Sequence, residues 1–263
     1  MNILITGIAS GIGKALGDIF LQNGHKVFGI DINEAIEKDN LITFKGDITN
    51  KESLINIKEY IINNNIKLDM IINVAGIHKM ASLVENDYND IKSVIDINLC
   101  GTMLVNNVFH TLLKENGKIV IITSEVASFD PLPFNGLYSI SKVALESYAQ
   151  ALRQELNLLG QKVITIQPGA IQTPLANGSL TSTERLANET VLYRRQAKNF
   201  LNITKKFMGK PIKTEKLAKF IYKKTIKKNP KYTYKIHHNL GLKLLSILPN
   251  RLQCFVVKLL VNK

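Results

Sequence analysis

A chain of 263 residues, 45% hydrophobic and 21% charged, is long enough to bury a core without disulfide staples, which excludes a miniprotein and a disordered chain. Its two cysteines, Cys100 and Cys254, stand far apart with no metal-ligand spacing, so neither a secreted disulfide scaffold nor a thiol mechanism is indicated. The net charge of +13 is unevenly placed: residues 1–193 carry 15 Lys and Arg against 20 Asp and Glu, whereas residues 194–263 carry 19 against one, Glu215. Such a cationic quarter attracts anionic surfaces through a salt-sensitive field, unless it is simply a solvated lysine face.

The start, Met1-Asn2-Ile3-Leu4-Ile5-Thr6-Gly7, has no basic segment leading into an apolar one, and no apolar run reaches the length of a membrane span. The expectation is a cytoplasmic protein that is neither exported nor membrane-spanning. Short Ile- and Val-rich runs then alternate with helix-patterned segments, as in β-α units around a parallel sheet. Predicted strands cover residues 2–6, 26–30, 41–44, 69–73, 118–123, 162–167 and 232–236. Predicted helices cover 12–23, 51–63, 97–114, 138–158 and 214–228, with Gly24, Gly117 and Gly160 as stop signals after three of them. Residues 175–210 show no strand and read as a helical insertion covering the substrate, and 239–263 as a basic apolar tail.

The first strand runs into Gly7-Ile8-Ala9-Ser10-Gly11-Ile12-Gly13 and then a helix. Gly7 suits the tight turn, Gly11 a close approach to a pyrophosphate, and Gly13 close packing of helix on sheet, with the helix N-terminus receiving the anion. Asp31 ends the second strand 24 residues after Gly7, near the offset at which a carboxylate accepts hydrogen bonds from an adenosine ribose. That charge repels a 2′-phosphate, and Ser10, Ile32 and Asn33 offer no cation to bind one. The cofactor expected is NAD in preference to NADP.

The fifth strand ends at Ser124, and 14 residues later Tyr138 and Lys142 stand one helical turn apart on one face. Tyr88 and Lys92 repeat the spacing but follow no strand-terminal serine. The set Thr6-Gly7-x-x-x-Gly11-Ile12-Gly13, Asn73-Val74-Ala75-Gly76, Asn98, Ser124, Tyr138-x-x-x-Lys142 and Pro168-Gly169 resembles the short-chain dehydrogenases/reductases over residues 2–175.

That resemblance implies an α/β fold: a Rossmann-type, doubly wound parallel sheet of seven strands with helices on both faces, in a single dinucleotide-binding catalytic domain. It implies that Tyr138 is the catalytic acid/base, that Ser124 steadies the substrate oxygen, that Lys142 binds the nicotinamide ribose and lowers the Tyr138 pKa, and that Asn98 organises a proton-relay water. It further implies that Asp47 and Ile48 flank the adenine, that Asn73, Ala75 and Gly76 border the cofactor, and that Pro168, Gly169, Ile171 and Thr173 line the nicotinamide. The chemistry is coherent, because an alcohol oxygen losing or gaining hydride needs a proton partner and a fixed hydrogen bond. Two departures stand out: Val74 where the family most often has Asn, and a Ser124-to-Tyr138 interval one residue longer than the commonest.

Ser124, Val126, Phe134, Tyr138, Ala170 and Leu175 are the substrate-side candidates, mostly apolar, as are Ile77, Phe129, Leu132 and Leu137. Residues 133–146 look most like members acting on steroids, retinoids or other lipophilic alcohols. The function expected is NAD(H)-dependent interconversion of a lipophilic secondary alcohol and its ketone, or of an alcohol and an aldehyde. The alternatives are reduction of small polar or acyl-chain keto substrates and, without turnover, an NAD-binding sensor or scaffold. A homodimer or homotetramer is expected from the family. Residues 194–263 make an anionic membrane surface a candidate partner, with peripheral attachment at an inner membrane face, because two tail segments alternate apolar residues with cations. Nucleic acid is not expected, since no binding module is present. His237-His238 lacks a third ligand at useful spacing, so no metal is expected.

Overall fold

The computed structural model describes residues 1–36, 38–207 and 211–262. Seven strands pair into one parallel sheet: β1 (Asn2–Thr6), β2 (Lys26–Asp31), β3 (Leu41–Lys45), β4 (Leu68–Asn73), β5 (Leu113–Ile122), β6 (Lys162–Pro168) and, last in the sheet, Thr233–Ile236. Their order is β3-β2-β1-β4-β5-β6 followed by Thr233–Ile236. Chain direction across the sheet reverses between β1 and β4, so the loops leaving these two strands diverge and open a crevice at their carboxyl ends. Ile3, Leu4, Ile5, Ile71, Ile72 and Val120 are fully buried, as expected where a parallel sheet is covered on both faces.

Helices α1 (Gly11–Gln22), α2 (Lys51–Asn63), α3 (Tyr88–Ile95), α4 (Thr102–Phe109) and α5 (Gly136–Asn157) follow in chain order. A two-residue strand β7 (Ile171–Gln172) leads into α6 (Pro174–Glu189) and α7 (Arg194–Phe207). Its partner β8 (Ile212–Lys213) precedes α8 (Thr214–Thr225), the Thr233–Ile236 strand (β9), α9 (Leu240–Leu245) and α10 (Asn250–Asn262). Leu16 and Phe20 of α1 and Leu217 and Ile221 of α8 pack on one sheet face; Leu54 and Ile61 of α2, Val105 and Phe109 of α4 and Leu145 of α5 pack on the other. A third cluster, Met80, Phe134, Leu186, Ala187, Ala197, Phe200 and Val261, joins α6, α7 and α10 to the loops after β4 and β5.

Two sequence expectations need correction. The helix expected over 97–114 starts at Tyr88, because Asp87 Oδ1 accepts from Asn89 N at 2.6 Å and caps the first turn. It then widens into a π-helical turn at Asp96–Gly101 and stops short of the expected end, at Phe109, with a single 3₁₀ turn at His110–Leu112. Gly117 is therefore no helix stop. It lies inside β5, where a Cβ would fall 2.4 Å from Leu113 Cγ, so its smallness serves a close approach. Gly24 and Gly160 do follow their helices with φ of +73° and +71°. Residues 175–210 carry α6 and α7, with 208–210 outside the described residues; the tail from 239 carries α9 and α10, with Lys263 likewise outside. No helix among the described residues is long and apolar enough to cross a membrane.

Candidate active site

The crevice at the reversal is a groove of about 310 Å³. Its walls include Gly7, Ser10, Gly11, Ile12 and Gly13 from the turn into α1, Asp31 from β2, Asp47 and Ile48 after β3, Ala75 and Gly76 after β4, and Thr173 and Leu175 at the start of α6. Gly7 has φ of +73°, and a Cβ there would lie 3.2 Å from the Ala75 backbone. At Gly13 a Cβ would lie 1.9 Å from the Gly7 carbonyl oxygen, which only glycine avoids. The turn is drawn against the β4 loop by Thr6, whose Oγ1 accepts from Val74 N at 3.0 Å and Ala75 N at 3.1 Å. This cradle, open at a helix N-terminus and free of side chains where backbone comes close, fits a dinucleotide pyrophosphate.

Asp31 accepts from Ala9 N at 3.0 Å through one oxygen and from Asn33 N at 2.9 Å through the other. It thus braces the glycine turn and lines the groove. Asp47 accepts from Thr49 N at 2.8 Å and from the Thr49 hydroxyl at 2.7 Å, and Ile48 presents an apolar surface in both groove and core. Thr173 caps α6, its Oγ1 accepting from Ala176 N at 3.1 Å, beside Pro174 at the first helical position.

Other expected cofactor neighbours have buried or hydrogen-bonded side chains. Asn73 ends β4 and donates to Asn106 Oδ1 at 2.8 Å, and Asn106 in turn donates to the Tyr148 hydroxyl. Ile171 is buried in the core, and Gly169 packs so tightly on His237 that a Cβ would meet its carbonyl oxygen at 1.9 Å. Pro168 is buried at the end of β6.

Beyond Gly76 the groove meets the polar residues expected to act. A Cβ on Gly76 would lie 2.9 Å from Asn98 Oδ1 and 3.7 Å from Lys142 Nζ. Ser124, at the end of β5, hydrogen-bonds the Tyr138 phenol oxygen, and Lys142 lies over the Tyr138 ring with Nζ 5.6 Å from its centre. The resemblance implies that Lys142 lowers the Tyr138 pKa; in the structure both groups are buried, and burial is the largest influence on each. Burial pushes Tyr138 up to about 12, only partly countered by the Ser124 bond, and burial pushes Lys142 down to about 8.

Asn98 sits in the π-helical turn, fully buried, a geometry that often marks functional positions. Its side chain is committed: Oδ1 accepts from Ile77 N at 2.8 Å, and Nδ2 donates to Ile77 O at 2.9 Å and to Ser141 Oγ at 3.0 Å. It therefore clamps the β4 loop to α5 and fixes the entry to the next residue, His78. That histidine was missed in the sequence, although it stands two residues beyond the Asn73–Gly76 motif. Its ring meets Tyr138 edge-on at 4.2 Å between centres, and its Nε2 pairs with Asn135 Oδ1 at 2.8 Å. Burial lowers its pKa, and nearby Lys142 adds to the effect.

On the substrate side, Val126 is half-buried after Ser124, and Ala170 is half-buried where its carbonyl pairs with Ile212 N. Phe134 is instead sealed in the third cluster, edge-on to Tyr193 and Phe200, so it holds the helices over the site together. Leu175 lines the cofactor groove. Among the described residues no group of three or more His, Cys, Asp or Glu is placed to hold a metal ion.

Comparison with known proteins places these features in context. Residues 1–184 match the family model described as short chain dehydrogenase. The NADPH-dependent 1-acyldihydroxyacetone phosphate reductase of Schizosaccharomyces pombe is 34% identical over 199 residues, covering 73% of this chain and 67% of the relative. The 3-ketodihydrosphingosine reductase of Bacteroides thetaiotaomicron is 29% identical over 238 residues, covering 89% of this chain and 87% of the relative. A solved short chain dehydrogenase family protein of Francisella tularensis superposes with a TM-score of 0.74 at 26% identity, covering 89% of this chain and 96% of that one.

Proposed function

Because the chain belongs to the short chain dehydrogenase family, whose members act on CH–OH and keto groups, we propose that it interconverts a lipophilic secondary alcohol and its ketone with NAD(H), working as a ketone reductase. The observation that carries the reading is the Ser124–Tyr138 hydrogen bond beside Lys142, at the inner end of a glycine-walled groove. When bound, a nicotinamide supplies hydride to the carbonyl carbon or takes it from the alcohol carbon. Tyr138 donates its hydroxyl proton to the substrate oxygen during reduction and recovers one during oxidation. Ser124 donates a hydrogen bond to the same oxygen, and the buried Lys142 ammonium stabilises the negative charge that develops there.

Burial keeps the Tyr138 phenol protonated at neutral pH, so it holds the proton that the substrate oxygen takes up in the reduction. Both curated relatives described above are named as reductases, and both names denote lipid substrates. NAD is favoured over NADP by the Asp31 carboxylate at the groove and by the lack of Arg or Lys at Ser10, Ile32 and Asn33, although the S. pombe relative is named NADPH-dependent. Residues 175–210 serve as the substrate cover, which agrees with the packing of Met80 and Phe134 against α6 and α7. A cytoplasmic homodimer or homotetramer completes the proposal, with the open groove between α4 and α5, lined by Met103, Leu104, Tyr148 and Leu152, as the face for a second copy.

Tyr138→Phe tests the reading. It should keep NADH binding, followed by nucleotide fluorescence, and lower the turnover of long-chain ketones by about a hundredfold or more. Unchanged turnover in this variant would refute the proton role.

A further inference from the structure

We propose that α9 and α10 form a surface that docks the protein on an anionic lipid bilayer, beside the entrance to the site. Seven large apolar side chains on this stretch, Leu240, Leu244, Ile247, Leu252, Phe255, Leu259 and Leu260, are 45% to 71% exposed. Leu252, Phe255 and Leu259 fall at i, i+3 and i+7 of α10 and make one stripe. The opposite side of the helix is already used: Val257 and Val261 pack with Met80, Phe134 and Phe200, and Asn199 Nδ2 donates to Val261 O at 3.0 Å. The stripe is therefore left over after the fold has taken what it needs.

Charge selects the occupant. Lys243, Arg251 and Lys258 stand exposed among these apolar residues, and no Asp or Glu occurs anywhere in residues 216–263. An apolar stripe edged by cations matches a bilayer interface, where leucine and phenylalanine enter the acyl boundary and lysine reaches the headgroups. A second copy of the chain would bring the same cations against its own. Nucleic acid phosphates would use the cations and leave the leucines without a role. With 13 residues, α10 is about 20 Å long and lies along an interface rather than crossing it.

The surface is tied to the site. Asn239 N donates to Glu125 Oε2 at 2.5 Å, one residue after Ser124, and Gln253 Nε2 donates to Asp130 Oδ2 at 3.0 Å in the same loop. Docking through α9 and α10 thus presents the Ser124 loop to the membrane, where an apolar ketone is concentrated. The benefit for substrate entry rests on the reductase reading; the docking itself does not.

Flotation of the full-length protein with vesicles separates the two. Binding is expected to vesicles of phosphatidylcholine with phosphatidylglycerol at low salt, with loss in high salt and on phosphatidylcholine alone. Combined Lys243→Gln, Arg251→Gln and Lys258→Gln changes should weaken it about a hundredfold, since each cation near such a surface contributes about fivefold. Leu252→Gln, Phe255→Gln and Leu259→Gln together should also abolish flotation while circular dichroism and ketone turnover in free solution stay unchanged. Equal binding to neutral vesicles, retention by either triple variant, or a smaller solution oligomer in the apolar triple would overturn the proposal, the last by naming a second copy as the occupant. Flotation in a protein that reduces no ketone would leave the surface standing and refute the enzymatic reading instead.

Discussion

Lys142 Nζ stands over the Tyr138 ring, 5.6 Å from its centre, and donates to the Ile122 carbonyl oxygen at 3.3 Å. One aromatic face and one carbonyl are thin compensation for a nearly inaccessible ammonium. Its pKa accordingly falls from 10.5 to about 8, chiefly through burial and against the pull of Glu146.

Lys142→Met should therefore stabilise the protein while disabling it. A fall from 10.5 to about 8 corresponds to about 3 kcal/mol, and losing the bond to Ile122 offsets about 1 kcal/mol. The net gain of about 2 kcal/mol predicts a rise in Tm of about 4 to 8 °C at pH 7. Between about 8 and 10.5 the unfolded chain holds the Lys142 proton and the folded one does not, so wild-type stability climbs with pH and the advantage of the variant fades. Thermal unfolding at pH 7 and pH 10 checks both the sign and the window.

His25, His78 and His238 all have pKa values lowered from 6.5, each mainly by burial. The unfolded chain takes up these protons first as the pH falls, so stability is intact above 6.5 and declines below it. The lowered carboxylates Asp18 and Asp69 start from 3.8 and act only at more acid pH. The urea midpoint should thus drop between pH 7.5 and pH 5.5. His78→Phe, which keeps an aromatic ring against Tyr138, should lose part of that drop.

The NAD preference proposed for this chain rests on the Asp31 carboxylate at the groove. Asp31→Ala removes the charge facing a 2′-phosphate, together with the acceptors of Ala9 N and Asn33 N. The ratio of kcat/KM for NADH to that for NADPH, measured with one ketone, should shift toward NADPH by about tenfold to a hundredfold. An unchanged ratio would place cofactor choice elsewhere.

The central strands were legible because β1, β4, β6 and the second half of β5 are short Ile- and Val-rich runs, and a strand buried on both faces needs little else. The motif Tyr138-x-x-x-Lys142 with Ser124 was legible for a similar reason: helical spacing and a strand end bring the side chains together without long-range information. What escaped depended on partners far away in the chain. The onset of α3 at Tyr88 rests on the Asp87 cap, a signal present in the sequence but obscured by the polar residues around it. The Asn73–Asn106–Tyr148 hydrogen-bond chain joins residues 33 and 42 positions apart, which no local pattern announces. The Tyr138 pKa was read from its charged neighbour alone, whereas burial, invisible in a one-dimensional pattern, has the larger effect. His78 belongs to no motif, and its place against Tyr138 follows from the Asn98 clamp on Ile77.

Two glycines offer a paired test of the cradle. A methyl group at Gly13 would lie 1.9 Å from the Gly7 carbonyl oxygen and 2.6 Å from its carbon, backbone atoms that cannot rotate aside. Relief requires α1 to move off β1, which disturbs Leu16 and Phe20 in the core and opens the turn that faces the groove. Gly24 has φ of +73° but nothing within 4 Å of its added methyl, so Gly24→Ala bears only the cost of a left-handed backbone, about 1 to 2 kcal/mol. Gly13→Ala should cost about 3 kcal/mol or more and abolish NADH binding, whereas Gly24→Ala should bind NADH as the wild type does. Urea unfolding and nucleotide fluorescence on the two proteins separate a tight approach that serves the cofactor from a turn that only ends a helix.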